Sequence, residues 1–495
     1  MKTPASSPAA KRQAHNAKQL QRQAKAPCRA DTLPRPLEDM AVVHRRACGI
    51  DVGSAENYGA IPAEGLAPGE PSVRVFGVFS HEQDALVEWL VAHQITTVAM
   101  EATGIYWLSL YDKLEAAGLE VYLVDAHGVK AVPGRKSDWL DCQWLQKLHT
   151  HGLLSRAFRP DPPIRRLRKL TRQRIELVTS GATHEQHMGK ALVSMNVHLD
   201  LTVSDVVGET GLRIVRAILD GNHDPKELVK LRDGRCRKST VAEMEQALEG
   251  NYNEEDLFVL RQSLEGWEFY QKQIAACDQK IEAALNAIPK VKVAVPPAPA
   301  RQVPPAEPGA VKQKKKRSNS GNNAATIDFT EALVRICGVD LMKVCGFNVL
   351  TVLMLIGEIG VDMSRWRSAR AFCSWLGLSP GTKISGGKVL SSRTRKVKNR
   401  AANVLRLAAW AAGKTDTWLG HFYRRIKARR GPSKAVTATA RKLACIIYHM
   451  LKYKDDFVFL DTLKYEKQAE AHRLRRLRQE AKRMGYQIVE IANAA

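Results

Sequence analysis

The sequence predicts an α/β domain followed by a largely helical remainder, and three observations carry that prediction. Between residues 46 and 158, apolar runs of strand length alternate with stretches whose apolar residues recur at helical spacing. Beyond Pro160, long and strongly charged segments carry apolar residues three and four apart, the pattern of extended amphipathic helices. Residues 289–327 break that pattern with prolines, a lysine run and a Ser/Asn/Gly stretch, which marks a flexible basic linker.

Each element follows in order. Residues 1–45 are rich in Lys, Arg, Ala, Gln and Pro with almost no large apolar side chains, so they read as a disordered basic tail. Ala47–Val52 reads as a buried strand, with Tyr58–Pro62 and Ser72–Phe79 as its hairpin partners. Ser80 is the expected cap of a helix carrying Leu86, Trp89, Leu90 and Val91. Ile95–Met100 is a further strand, Thr103–Ala117 a second helix stopped by Gly118, and Glu120–Val124 another strand that turns away at Asp125–Gly128. Three strands followed by alternating helix and strand describe a mixed sheet with helices on its faces. Ribonuclease-H-like layer sandwiches have that order, and so do actin-like ATPases.

Ser137 can cap the next helix, which places Asp138 and Asp141 three residues apart on one face of its first turn. Two carboxylates pointing the same way repel, and a divalent cation relieves the repulsion. An ordinary acidic first turn has the same residues. Upstream, however, Asp51 follows the apolar run Ala47–Ile50 and Glu101 ends the run Ile95–Met100. Acids at the ends of two buried strands and two more on a helix can make a metal cage.

From 159 to 288 the chain reads as a helical arm. Ile164–Met195 and Glu254–Ile288 are its two long antiparallel helices, with shorter ones between Val203 and Asp233. A spacer, a dimerisation arm and an RNA-holding scaffold all fit that pattern. Residues 328–459 form a second, mostly helical domain that begins with a helix-hairpin-helix-like segment around Gly338 and Gly357. Its glycine turns would present N–H groups to phosphate, or simply pack two helices. The loop Gly377–Lys388 then combines glycines, Ser385, Lys383 and Lys388, and Arg393, Arg395 and Lys398 follow. These five cations are candidate nucleic-acid contacts. Residues 460–495 read as a basic helical tail.

The balance of 76 Lys and Arg against 51 Asp and Glu, a net +25, points to a polyanionic partner, nucleic acid above all. No run of eighteen apolar residues offers a membrane span, and no apolar core of a secretory signal opens the chain. Nine cysteines without a CxxC pair argue against a disulfide framework and a zinc site, which places the protein in a reducing, cytoplasmic setting.

Four motifs in this order are similar to those of one family: Gly49-Ile50-Asp51-Val52, Met100-Glu101-Ala102-Thr103-Gly104, Lys136-Ser137-Asp138 with Asp141, and Ile384-Ser385-Gly386-Gly387-Lys388. From Arg46 to about residue 455 the chain resembles the DEDD-type transposases of the insertion-sequence-110 family of mobile genetic elements, whose better-studied members are RNA-guided DNA recombinases. The resemblance implies a RuvC-like domain in which Asp51, Glu101, Asp138 and Asp141 are the catalytic tetrad and hold Mg²⁺, with Mn²⁺ as the alternative. It implies a C-terminal serine transposase domain with Ser385 as nucleophile, Ser391 and Ser392 being nearby alternatives. It also implies donor and target DNA as substrates, a structured noncoding guide RNA, and a homodimer or dimer of dimers in which metal cage and serine come from different subunits. Two other functions fit the residues: a RuvC-like nuclease or junction resolvase that uses water, and an actin-like ATPase whose phosphate loop would be Gly49–Ser54.

Overall fold

Six residues, Ala47–Val52, form the strand β1 on which the N-terminal part of the chain is registered. The structure, a computed structural model, describes residues 40–64, 66–102, 104–124, 137–289, 323–455, 471, 474–475 and 477–488. The basic tail up to residue 39, the turn at Asp125–Gly128, Arg135-Lys136, most of the Pro/Lys linker and residues 456–470 lie outside the described residues. The chain divides between Phe158 and Arg159 into two compact units.

In the first unit, β1 pairs antiparallel with β2 (Glu56–Ala60), which pairs antiparallel with β3 (Val73–Gly77). On its other edge β1 pairs parallel with β4 (Thr97–Glu101), and β4 with β5 (Glu120–Val124), giving the order β3-β2-β1-β4-β5. Parallel neighbours require crossovers, and two helices supply them: α1 (Ser80–Ala92) and α2 (Trp107–Ala116). They cover one face of the sheet, where Cys48, Ile50, Val98, Met100 and Leu123 meet Leu86, Leu90, Leu110 and Leu114. Side chains alternate along a strand, so the opposite face carries Ala60, Val73, Ala99 and Val124. There α3 (Asp138–Thr150) packs Cys142 and Leu145 against them.

Two boundaries differ from the expectation for physical reasons. Ser80 is the first residue of α1 rather than its cap; Phe79 occupies the cap, and its N–H donates to the Glu82 carboxylate at 3.0 Å. The second helix starts at Trp107, not Thr103, because Gly104 sits at φ +59, which no right-handed helix contains. Its stop at Gly118, φ +80, is where the sequence places it.

The second unit begins with a helical hairpin. α4 (Pro162–Ser194) and α9 (Glu254–Asn286) each have 33 residues, about 50 Å of helix. Arg174 meets Asp278 while, further along, a Cβ on Gly266 would meet His184, so the two run antiparallel. At the far end, α5 (Leu199–Thr202), α6 (Glu209–Leu219), α7 (Pro225–Val229) and α8 (Val241–Ala247) close a core around Met188, Ile214, Leu228, Met244 and Leu260. At the near end Arg174 and Asp278 form a buried ion pair at 2.6 Å, and Asp278 also accepts the Thr326 N–H at 2.9 Å. Such a pair costs several kcal/mol if one partner is removed, since the other is left charged and buried.

The remaining helices are α10 (Thr330–Cys337), α11 (Val349–Ile359), α12 (Ala369–Trp375), α13 (Arg400–Ala412), α14 (Trp418–Arg430) and α15 (Pro432–Tyr453). α15 is the centre, packed against α12, α13 and α14. The helix-hairpin-helix reading meets a difference here. Gly338 does end α10 at φ +67, but Gly357 lies inside α11, where an added Cβ would stand 2.9 Å from Thr171 Oγ1 of α4. Its carbonyl accepts from Arg168 Nε at 3.1 Å, so this glycine admits a neighbouring helix and presents nothing to phosphate.

Candidate active site

Asp51, Asp138 and Asp141 come together, with one carboxylate oxygen of each within 4.8 Å of the others. Among the described residues no other set of three acids, histidines or cysteines is gathered so. The sequence produces this convergence in two steps. First, Ser137 Oγ accepts the Leu140 N–H at 3.3 Å, which starts α3 so that Asp138 and Asp141 share its first turn. Second, Gly49 lets α3 lie directly on β1. A Cβ on Gly49 would stand 2.3 Å from the Gln146 nitrogen and 2.4 Å from the Cys142 carbonyl oxygen. Two residues on, Asp51 projects from the same face of β1, beside the start of α3. Sequence reasoning had the acids but missed this glycine; a Gly inside a strand is the signal of a close backbone approach.

The other end of α3 is fastened as well. The buried His149 donates from Nε2 to the Thr97 hydroxyl at 2.8 Å, and that hydroxyl donates to the Glu120 carbonyl at 3.1 Å. The roles follow because the hydroxyl has one proton to give. Burial, and then the neighbouring His44 imidazole, hold His149 at a pKa of about 4, so the imidazole is neutral. With Gly49 in the middle and Thr97 at the end, α3 has little freedom to move its acids.

The donors are all oxygen. Cys142 is the soft ligand nearest the trio, but burial and the charge of Asp51 push its thiol far above the ordinary value, and its Sγ donates to the Trp139 carbonyl at 3.1 Å. Three carboxylates, half-buried at Asp51 and Asp141 and exposed at Asp138, suit a hard divalent cation. Glu101 ends β4 on the same face of the sheet, by alternation from Ala99, but stands outside the grouped trio. The four-acid expectation thus has three members assembled and one on the neighbouring strand.

Ser385 belongs to a structure the sequence did not suggest. Instead of a loop, Lys383–Ser385 (β6) and Lys388–Ser391 (β7) form an antiparallel ribbon. Gly386 and Gly387 at φ +53 and +74 make its two-residue turn, a conformation that glycine adopts without strain. The Gly-Gly pair between Ser385 and Lys388 was the available signal. Ser385 pairs directly with Lys388, so hydroxyl and ammonium occupy one face. The base of the ribbon is tied down by Gly381 N–H to the Arg393 carbonyl at 2.9 Å and by Arg395 to the Ser374 carbonyl at 3.2 Å. Lys383, Lys388, Arg393, Arg395 and Lys398 are all exposed. Ser391 ends β7 and gives its hydroxyl oxygen to the Arg393 N–H at 3.3 Å, while Ser392 follows it in the connecting chain.

Two family models match this chain, one described as Transposase, of the DEDD type of IS110, over residues 48–197, and one as Transposase IS116/IS110/IS902 family over residues 340–424. The chain belongs to the IS110 transposases. Among curated proteins, none matches it. The first match contains the acidic trio, Glu101 and Gly49, and the second contains the ribbon with Ser385 and its five cations. DNA is the substrate class of such a transposase. Its charge is distributed accordingly: residues 363–454 contain twenty-two Lys and Arg and a single acid, Asp416. No described helix of the transposase is long and apolar enough to cross a membrane.

Proposed function

We propose that this transposase cuts and rejoins DNA strands through a covalent phosphoserine intermediate on Ser385, with Asp51, Asp138 and Asp141, joined by Glu101, holding Mg²⁺ in a RuvC-like domain. The observation that carries the reading is the convergence of three carboxylates from β1 and α3, elements more than eighty residues apart in the chain. The strand order β3-β2-β1-β4-β5 supports a ribonuclease-H-like sheet. A bound divalent ion neutralises phosphate charge and stabilises a leaving oxygen.

The residues themselves do the rest. The Ser385 oxygen attacks phosphorus, forming an O–P ester while a bond to one deoxyribose oxygen breaks; the serine proton ends on that leaving oxygen. One ester replaces another, so a hydroxyl from a second strand can reverse the step and seal a new junction without ATP. Lys388, on the same face as Ser385, places a cation where the phosphate must sit. Lys383, Arg393, Arg395 and Lys398 extend that cationic track along the backbone. Target choice is assigned to a structured noncoding RNA whose base pairing reads the DNA while the protein grips shape and charge, in a dimer or dimer of dimers. The resemblance and the cationic surface support this part.

The test is capture of the adduct. Wild-type protein incubated with Mg²⁺, labelled DNA and RNA from the flanks of its own gene should retain label after denaturation, and Ser385→Ala should retain none. An undiminished adduct in Ser385→Ala refutes the serine, and Ser391→Ala or Ser392→Ala then identifies the replacement. Cut DNA without any adduct from the wild type would mean a water-using nuclease, and DNA-independent ATP hydrolysis an actin-like enzyme.

A further inference from the structure

The ribbon has two unlike faces. Ile384 pairs with Val389 as Ser385 pairs with Lys388, so Ile384 and Val389 share the face opposite the serine. Lys383 pairs with Ser391, which leaves Leu390 as the extra residue of a bulge. These three apolar side chains are bare: Ile384 is 64% exposed, Val389 61% and Leu390 68%. A two-stranded ribbon is marginal in water by itself, and one with an apolar face in solvent more so. Covering this face would remove that cost.

We propose that the occupant is the DNA duplex itself, with Ile384, Val389 and Leu390 acting as a wedge that enters and unstacks a base step beside the phosphate that Ser385 faces. Charge decides between occupants. With twenty-two cations and one acid across residues 363–454, a second copy of this region would be repelled, whereas a duplex brings two phosphates per base pair. In the chain the apolar cluster is flanked by the exposed Lys383, Lys388, Arg393, Lys396 and Lys398, the composition of segments whose apolar side chains insert between bases while neighbouring cations hold the backbone. The shape also serves. A two-stranded ribbon fits a groove, its base is tied to the end of α12 through Arg395 and Ser374, and a Cβ built on either turn glycine would meet nothing within 4 Å. The wedge thus projects from a fixed base into open space. Apolar side chains read no hydrogen-bond pattern, so insertion favours easily unstacked pyrimidine–purine steps over a sequence. Bending there would expose the phosphate for in-line attack.

The inference rests on the proposal that Ser385 faces DNA, and the experiment separates the two. Full-length Ser385→Ala protein is bound to duplexes carrying 2-aminopurine at successive positions across the cleavage region. A several-fold rise in fluorescence at one step is expected, lost in the further double variant Ile384→Ser/Val389→Ser. With Ser385 restored, that double variant should lose most adduct formation on paired DNA and recover it on DNA mismatched at the same step. Absence of a fluorescent step, or the same signal with and without the apolar pair, overturns the wedge. So does loss of activity that mismatched DNA does not restore, or a change in sedimentation of the double variant with the fluorescence kept, which would assign the face to a second copy. Adduct surviving in Ser385→Ala would sink the nucleophile while leaving the fluorescence result to stand or fall alone.

Discussion

Asp51 and Ser385 both stand in strands, but the strands are built differently. The strand of Asp51, β1, has a hydrogen-bonded strand on each side and α3 across its face, in contact close enough to demand glycine at position 49. Ser385 has one partner strand, water on both faces and a glycine turn beside it. The charges differ as sharply: residues 41–158 hold fourteen acids against nine Lys and Arg, whereas 363–454 hold one acid against twenty-two. The net +25 thus conceals a net −5 in the first region and +21 in the second. An acidic, rigid site can hold cations at fixed positions before any substrate arrives, while a cationic, exposed ribbon, on the proposed reading, would take its final position from the DNA it meets.

That contrast can be broken by mutation, beginning with the largest effect. Asp141→Asn should reduce strand cleavage by at least about a hundredfold while leaving DNA retention on a filter nearly unchanged, given that even outer partners of metal ligands cost ten- to a hundredfold. Asp112→Asn, an acid elsewhere in the same unit, should leave both cleavage and retention unchanged. Equal loss from both would mean the trio is no more than surface charge.

Acid should act on the rigid region through His149. His149 is neutral with a folded pKa of about 4, against about 6.5 when unfolded, so the unfolded chain binds the extra proton between those values. The stability is complete above pH 6.5 and is lost as pH falls towards 4, on the order of 3 kcal/mol at most. Thermal melts of the wild type should show that slope, and His149→Gln should flatten it.

Two glycine substitutions sharpen the comparison. Gly49→Ala forces α3 off β1 and should cost about 1–3 kcal/mol as overpacking, lowering the melting temperature and metal affinity together. Gly386→Ala at φ +53 should cost only about 1 kcal/mol, spent within the ribbon, so adduct formation falls while melting temperature and metal affinity stay. The smallest effect belongs to single cations. Lys388→Ala should weaken DNA binding across all sequences and lower the slope of log K against log salt by about one.

Much of this was legible in the sequence. Apolar runs located β1 and β5 to the residue: β1 is a central strand, apolar on both faces, and the edge strand β5 is delimited by the helix stop at Gly118 before it. The Ser137 cap fixed the start of α3 for a local reason, one hydroxyl and one N–H. Boundaries failed where a backbone angle decided them, as at Gly104. The ribbon was read as a loop because its apolar residues face solvent, and so leave none of the half-buried alternation that marks a strand. The separation of Glu101 from the trio depends on how a helix lies across a sheet, which no spacing in one sequence records.

The central claim is that Asp51, Asp138 and Asp141 form one divalent-cation site, and titration of the full-length protein with Mn²⁺, followed by electron paramagnetic resonance, tests it directly. The account predicts saturable binding, displaced by Mg²⁺, that is lost in Asp51→Asn and in Asp138→Asn alike, although the two residues come from different elements. Binding that survives either substitution unchanged would contradict it.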